Sequence, residues 1–187
     1  MNKQDIKDCL TTLNKGGVIL YPTDTIWGIG CDATNADAVD KLYTIKQRDK
    51  QKPMIILLDN INRIMSYVDK PPEVALDVIE LSNQPLTMVF DNAKNLPENL
   101  IGQDGSIAIR VVKNKSIVEL VKRFKRPLVS TSANVAGEPP ALSFDDIPSK
   151  LKTMVDYVCT SHRSDVTQKR SAIIRIKQDG EIIFLRK

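Results

Sequence analysis

Four small polar side chains, Ser130, Thr131, Ser132 and Asn134, crowd the stretch Pro-Leu-Val-Ser-Thr-Ser-Ala-Asn-Val-Ala-Gly-Glu-Pro-Pro at residues 127–140. Hydroxyls and an amide gathered at a strand end can bind a polyanion or a small polar substrate through hydrogen bonds without adding competing charge. Taken alone, the stretch is also accounted for by an ordinary turn, since turns are built from these residue types. Cations lie elsewhere. Lys46 and Arg48, in Lys-Gln-Arg, end a helical pattern, and Lys50 and Lys52 continue the charge towards Pro53. Capping of helix carbonyls explains the first two, but the second two exceed what a cap requires. A second cluster runs from Lys113 to Arg126. Solvated helix faces account for most of these cations, and the two clusters together keep an anionic ligand in view.

Two further features bear on chemistry. Thr23 and Thr25 flank Asp24 in the run from Pro22 to Asp32. The threonines either bond their own turn or contact a substrate, and both readings stand. Gly28 and Gly30 let the backbone bend or be approached closely, while the absence of a third glycine excludes a dinucleotide fingerprint. Arg110 lies between apolar neighbours in a strand-like run and needs an anion, from either a structural acid or a ligand carboxylate. One histidine, His162, and three scattered cysteines, Cys9, Cys31 and Cys159, support neither a Ser-His-Asp mechanism, a zinc site nor a disulfide framework.

The elements that must position these residues follow from periodicity. Helices are expected at 5–15, 35–46, 115–125 and 144–154, with a helical pattern over 60–84 broken at Pro71-Pro72. Strands are expected at 18–21, 54–58, 86–90, 106–112 and 157–159, and at the start of the 127–140 stretch. The unbroken apolar run at 54–58 implies a central strand buried on both faces. Asp179-Gly180 between two alternating runs signals a terminal hairpin, and residues 162–170 read as a polar loop that could close over a site. Strands and helices alternate irregularly, as in an α/β domain with a twisted mixed sheet.

At 187 residues, with 42% hydrophobic and 27% charged residues and a formal charge of +4, the chain is expected to form one soluble domain over 1–187. It has no signal-like leader and no membrane-length apolar run, which predicts a cytoplasmic protein without a membrane partner.

Five segments in order carry a resemblance: residues 21–33 (Tyr-Pro-Thr-Asp-Thr-Ile-Trp-Gly-Ile-Gly-Cys-Asp-Ala), Lys-Gln-Arg at 46–48, Pro-Leu-Thr-Met-Val at 85–89, Ile-Ala-Ile-Arg at 107–110, and 127–140. Together they closely resemble the YrdC/TsaC family of threonylcarbamoyl-AMP synthases, from about residue 14 onward. The resemblance implies a YrdC-like α/β fold, with a largely antiparallel mixed sheet and flanking helices around a concave basic cleft. It also implies a reaction in which L-threonine, bicarbonate and ATP give threonylcarbamoyl-AMP and pyrophosphate. Other proteins would transfer the product to tRNA beside the anticodon. ATP enters as a substrate, with Mg2+ held by its phosphates and water and no structural metal in the protein.

Residue by residue, the resemblance assigns Lys46, Arg48, Ser132 and Asn134 to catalysis. ATP contacts fall on Arg48, Lys52, Ser106, Ser132, Asn134 and Arg186, and threonine contacts on Thr25, Arg110, Ser171 and the backbone at Ser130. The chain departs from the family pattern at Asp49, at Asn83-Gln84-Pro85, at Ala172 and at Leu57, where some relatives have a threonine-contacting histidine. The sequence stops at Lys187, so on this resemblance the short, single-domain form is expected. The alternative is a non-catalytic module that binds double-stranded RNA or tRNA, which the net charge permits.

Overall fold

Apolar runs become strands and amphipathic runs become helices in the computed structural model, which describes residues 1–52, 54–166, 171–177 and 181–186. The helices are α1 (Lys3–Asn14), α2 (Ala36–Lys46), α3 (Glu73–Leu81), α4 (Lys115–Phe124) and α5 (Ser149–Met154). The strands are β1 (Ile19–Tyr21), β2 (Gly28–Gly30), β3 (Ile55–Leu58), β4 (Leu86–Phe90), β5 (Ile107–Val111), β6 (Leu128–Ser132), β7 (Tyr157–Val158), β8 (Ala172–Ile176) and β9 (Ile182–Arg186). Asparagines start three of the helices. Asn2, Asn35 and Asn114 accept from backbone N–H groups of the first turns of α1, α2 and α4, which would otherwise have no partner.

The strands form one nine-stranded sheet in the order β7-β1-β2-β6-β3-β5-β4-β8-β9. Three pairings are parallel (β1 with β7, β3 with β5, β4 with β8) and the rest antiparallel, as expected of a largely antiparallel mixed sheet. β3 is central, and Ile56, Leu57 and Leu58 are buried. α4 packs on β3, and α1 packs on both α4 and β1.

Several expectations need correction. Gly28 and Gly30 do not mark a bend: they form β2, squeezed between β1 and β6. A Cβ on Gly30 would lie 2.1 Å from the Val129 carbonyl oxygen, so a neighbouring backbone is what approaches closely. The helix expected at 144–154 begins only at Ser149, because Phe144 instead packs its ring 5.0 Å from that of Trp27. Residues 61–66 form a 3-10 helix rather than an α-helix. β8 and β9 pair antiparallel as the hairpin signal required, although its Asp179-Gly180 turn lies outside the described residues. The loop expected at 162–170 lies partly outside them too; its described start is a turn in which His162 meets Asp165 at 2.7 Å.

Candidate active site

Cross-strand register brings residues distant in sequence onto one face of the sheet. Ile55 on β3 stands opposite both Ser130 on β6 and Ala108 on β5, and Ala108 stands opposite Val89 on β4. One step along, Leu57 is the partner of Arg110. These side chains, with Ser132, Ser171, Ile173, Leu185 and the 23–28 segment, line a cleft of about 430 Å³. Eight of the eleven residues expected at a site belong to its lining: Thr25, Arg48, Arg110, Ser130, Ser132, Asn134, Ser171 and Arg186.

Arg110 is 5% exposed. It donates from Nη2 to Asp24 Oδ1 at 2.5 Å and from Nη1 to Thr25 Oγ1 at 3.2 Å. One anion beside this arginine is therefore the Asp24 carboxylate. The threonines bond within their own turn, as the first alternative expects, and Thr25 also bonds Arg110. Thr23 Oγ1 donates to the Ile26 carbonyl and accepts from the Thr25 N–H, closing the turn, while Thr25 Oγ1 turns to the arginine. Ser130 Oγ accepts from Tyr21 OH at 2.7 Å. Burial pushes the Tyr21 phenol well above its ordinary pKa despite that bond, so it stays a neutral donor.

Lys46 does not line the cleft. It is 1% exposed, and Nζ donates to the backbone carbonyls of Ser132 and Asn134 and, at 3.4 Å, to Asn134 Oδ1. Burial, reinforced by the Arg48 charge, lowers its pKa to about 7. The cap of α2 is instead made by Gln47 in the left-handed region at φ 47°. Asn134 Nδ2 donates to the carbonyls of Val135 and Glu138, so the turn after β6 is held from both sides. Arg48 faces the cleft and donates from Nε to the Lys52 carbonyl; the Lys52 side chain is exposed and outside the lining.

Ser106 also lies outside the lining, where its hydroxyl and N–H help hold the Asp104 carboxyl below the usual range. Ser171 shares a 2.9 Å hydroxyl bond with Thr87, and its carbonyl accepts from Arg186 Nε and Nη2, which joins the β8 and β9 sides of the cleft. Sequence reasoning left Asp24, Glu138, Trp27 and Leu185 unassigned, yet all four line the cleft. Asp24 was legible as the acid between two threonines; Leu185 carried no signal apart from its strand.

The lining combines Arg48, Arg110 and Arg186 with Asp24 and Glu138, so its charge is mixed. Part of the basic character expected from the two clusters is paired with acids outside the cleft lining. Lys41 pairs with Asp156, Lys50 with Asp40, Arg123 with Glu119 and Arg126 with Asp32. Among the described residues no group of three His, Cys, Asp or Glu side chains could hold a metal ion, and no helix is long and apolar enough to cross a membrane.

Comparison with known proteins adds an independent line. A family model named Sua5_yciO_yrdC, described as telomere recombination, matches residues 11–187. A threonylcarbamoyl-AMP synthase of Pseudoalteromonas translucida is 37% identical over 159 residues, covering 83% of this chain and 85% of that protein. Another threonylcarbamoyl-AMP synthase, from Pseudoalteromonas atlantica, is 39% identical over 143 residues, covering 75% of this chain and 76% of that protein. Among solved structures, P. abyssi Sua5 complexed with L-threonine superposes with a TM-score of 0.87 at 21% identity; the match covers 100% of this chain but 54% of that longer one. E. coli YciO superposes with a TM-score of 0.84 at 22% identity, covering 100% of this chain and 90% of that one. These two likenesses concern the fold. Together with the family model and the sequence relatives, they lead to one conclusion: the chain belongs to the Sua5/YciO/YrdC family.

Proposed function

We propose that this protein is an L-threonylcarbamoyladenylate synthase. The observation that carries the reading is that Arg110, Thr25 and Ser130 line the same cleft as Arg48, Ser132 and Asn134. The threonine amine condenses with bicarbonate, R–NH3+ + HCO3− giving R–NH–COO− + H2O + H+. A carbamate oxygen then attacks the α-phosphorus of ATP, and the bond to the β-phosphate oxygen breaks to release pyrophosphate. No protein nucleophile is needed; the demand is for alignment and for neutralising charge on the leaving phosphates.

In this reading Arg48, Ser132 and Asn134 meet the triphosphate and adenylate, with Arg186 as a further nucleotide contact. Lys46 positions the Ser132–Asn134 turn from beneath, and Arg110, Thr25, Ser171 and the Ser130 backbone hold threonine. Lys52 and Ser106, outside the lining, would reach nucleotide only after side-chain or loop movement. Magnesium travels with ATP, held by phosphates and water, and supplies charge neutralisation when bound. The product passes to proteins that modify tRNA.

The test is pyrophosphate release by the purified protein. We expect it to require ATP, L-threonine and bicarbonate together. Arg48→Ala and Asn134→Ala should each reduce turnover at least about 100-fold with the fold intact by circular dichroism, and Arg110→Ala should chiefly raise the threonine KM. Tight binding of double-stranded RNA without any threonine-dependent release would replace this reading with the RNA-binding alternative.

A further inference from the structure

We propose that Asp24 binds the α-ammonium group of the amino-acid substrate while Arg110 beside it holds the carboxylate; the proposal rests on the threonine reading above. An α-amino acid presents a cation and an anion on one carbon, and its complement is an anion and a cation side by side. The cleft has such a pair: Arg110 and Asp24 are 2.5 Å apart, with side chains 6% and 25% exposed.

Both partners retain capacity for a ligand. Arg110 uses Nη1 for Thr25 and Nη2 for Asp24, and its remaining guanidinium N–H directions have no partner among the described residues. Asp24 uses Oδ1 for the arginine, whereas Oδ2 accepts no hydrogen bond from a described residue. A carboxylate present merely to neutralise a buried arginine would be expected to engage it through both oxygens and lie equally deep. Asp24 instead sits at the cleft wall with one oxygen spare.

Glu138, the other carboxylate of the lining, is exposed and lies beside the Asn134 turn, where its backbone carbonyl accepts from Asn134 Nδ2. It therefore belongs to the end assigned to nucleotide. Asp24 is the acid whose position fixes the threonine nitrogen, the atom that forms the new N–C bond with the carbon of bicarbonate.

The experiment compares wild type with Asp24→Asn in two titrations: L-threonine, and 3-hydroxybutanoate, which is threonine without its amine. Pyrophosphate release at saturating ATP and bicarbonate gives KM for the first and an inhibition constant for the second. We expect the threonine KM to rise about 10- to 100-fold in Asp24→Asn, the scale of one charge-assisted hydrogen bond. The inhibition constant of 3-hydroxybutanoate and the ATP KM should stay within about twofold, because the des-amino acid meets only the arginine side. An unchanged threonine KM would overturn the proposal. So would parallel weakening of both ligands, which would mean that Asp24 merely props Arg110. If the variant does not turn over, calorimetric titration with the two ligands makes the same comparison. Wild-type protein that binds threonine but releases no pyrophosphate would remove the synthase reading while leaving the Asp24 comparison decisive.

Discussion

Lys46 places an ammonium group where almost no water reaches it, and its charge is matched by the carbonyls of Ser132 and Asn134 rather than by an acid. Such a group is a strut for the nucleotide side of the cleft. Lys46→Met keeps the stem and removes the strut, so kcat/KM for ATP is expected to fall about 100-fold while the far-ultraviolet spectrum is retained. The same burial that lowers its pKa to about 7 fixes the sign of a stability effect. Between about 7 and the unfolded value near 10.4, the unfolded chain carries a proton that the folded chain lacks, so this lysine costs most below pH 7 and progressively less above it. The stability difference, Lys46→Met minus wild type, should therefore be more favourable at pH 6 than at pH 10, as measured by urea unfolding. A difference independent of pH would mean that the ammonium is not penalised by burial.

At the level of elements, what could be read from the chain depended on where the ordering forces lie. β3 was legible because its unbroken apolar run demands burial, and β4 and β5 because their mainly apolar runs, interrupted only by Thr87 and Arg110, do nearly the same. β2 was not: Gly-Ile-Gly has little strand propensity, and it is extended because β1 and β6 clamp it from either side. Residues 144–148 carry apolar periodicity, yet Phe144 serves the Trp27 contact instead of a helix face. The site was legible residue by residue where charge was out of place, as at Arg110. Its unassigned member Leu185 is brought to the cleft only by neighbours far away in sequence. The tight place of β2 gives a prediction: Gly30→Ala drives a methyl into the Val129 carbonyl and should destabilise the protein by about 3 kcal/mol or more by denaturant titration. A loss below about 1 kcal/mol would show that β2 can move away from β6.

Across the whole molecule, the N-terminal helix is fastened to the segment leading into β8. The fully buried Asp5 on α1 accepts from Tyr157 OH, from the Thr160 and Ser161 N–H groups and from both of their hydroxyls. Burial pushes its carboxyl pKa up, but the bonds from Ser161, Thr160 and Tyr157 outweigh this and hold it well below the ordinary value. A depressed folded pKa contributes stability that is fully present above the unfolded value near 3.9 and fades as pH falls towards the folded one. Asp5→Ala should thus lower stability by about 3 kcal/mol at pH 7, with the gap to wild type narrowing below about pH 4 in thermal melts. A gap constant from pH 7 to pH 2 would exclude this linkage.

The sheet order has a consequence for the time course of folding. Gly28 pairs with Ser132, Ile19 with Tyr157 and Leu86 with Ala172, so the strands under and around the cleft are joined across most of the chain. Closing such distant pairs carries a loop entropy that local contacts do not offset, which makes sheets of this kind slow to complete. Helices such as α1 and α4 can form early, but the cleft has no partial version: until β2, β6, β3 and β5 lie side by side, Arg110 and Ser130 are strangers. Affinity for substrate should accordingly emerge late and all at once during refolding, with the last sheet pairings rather than with helix content.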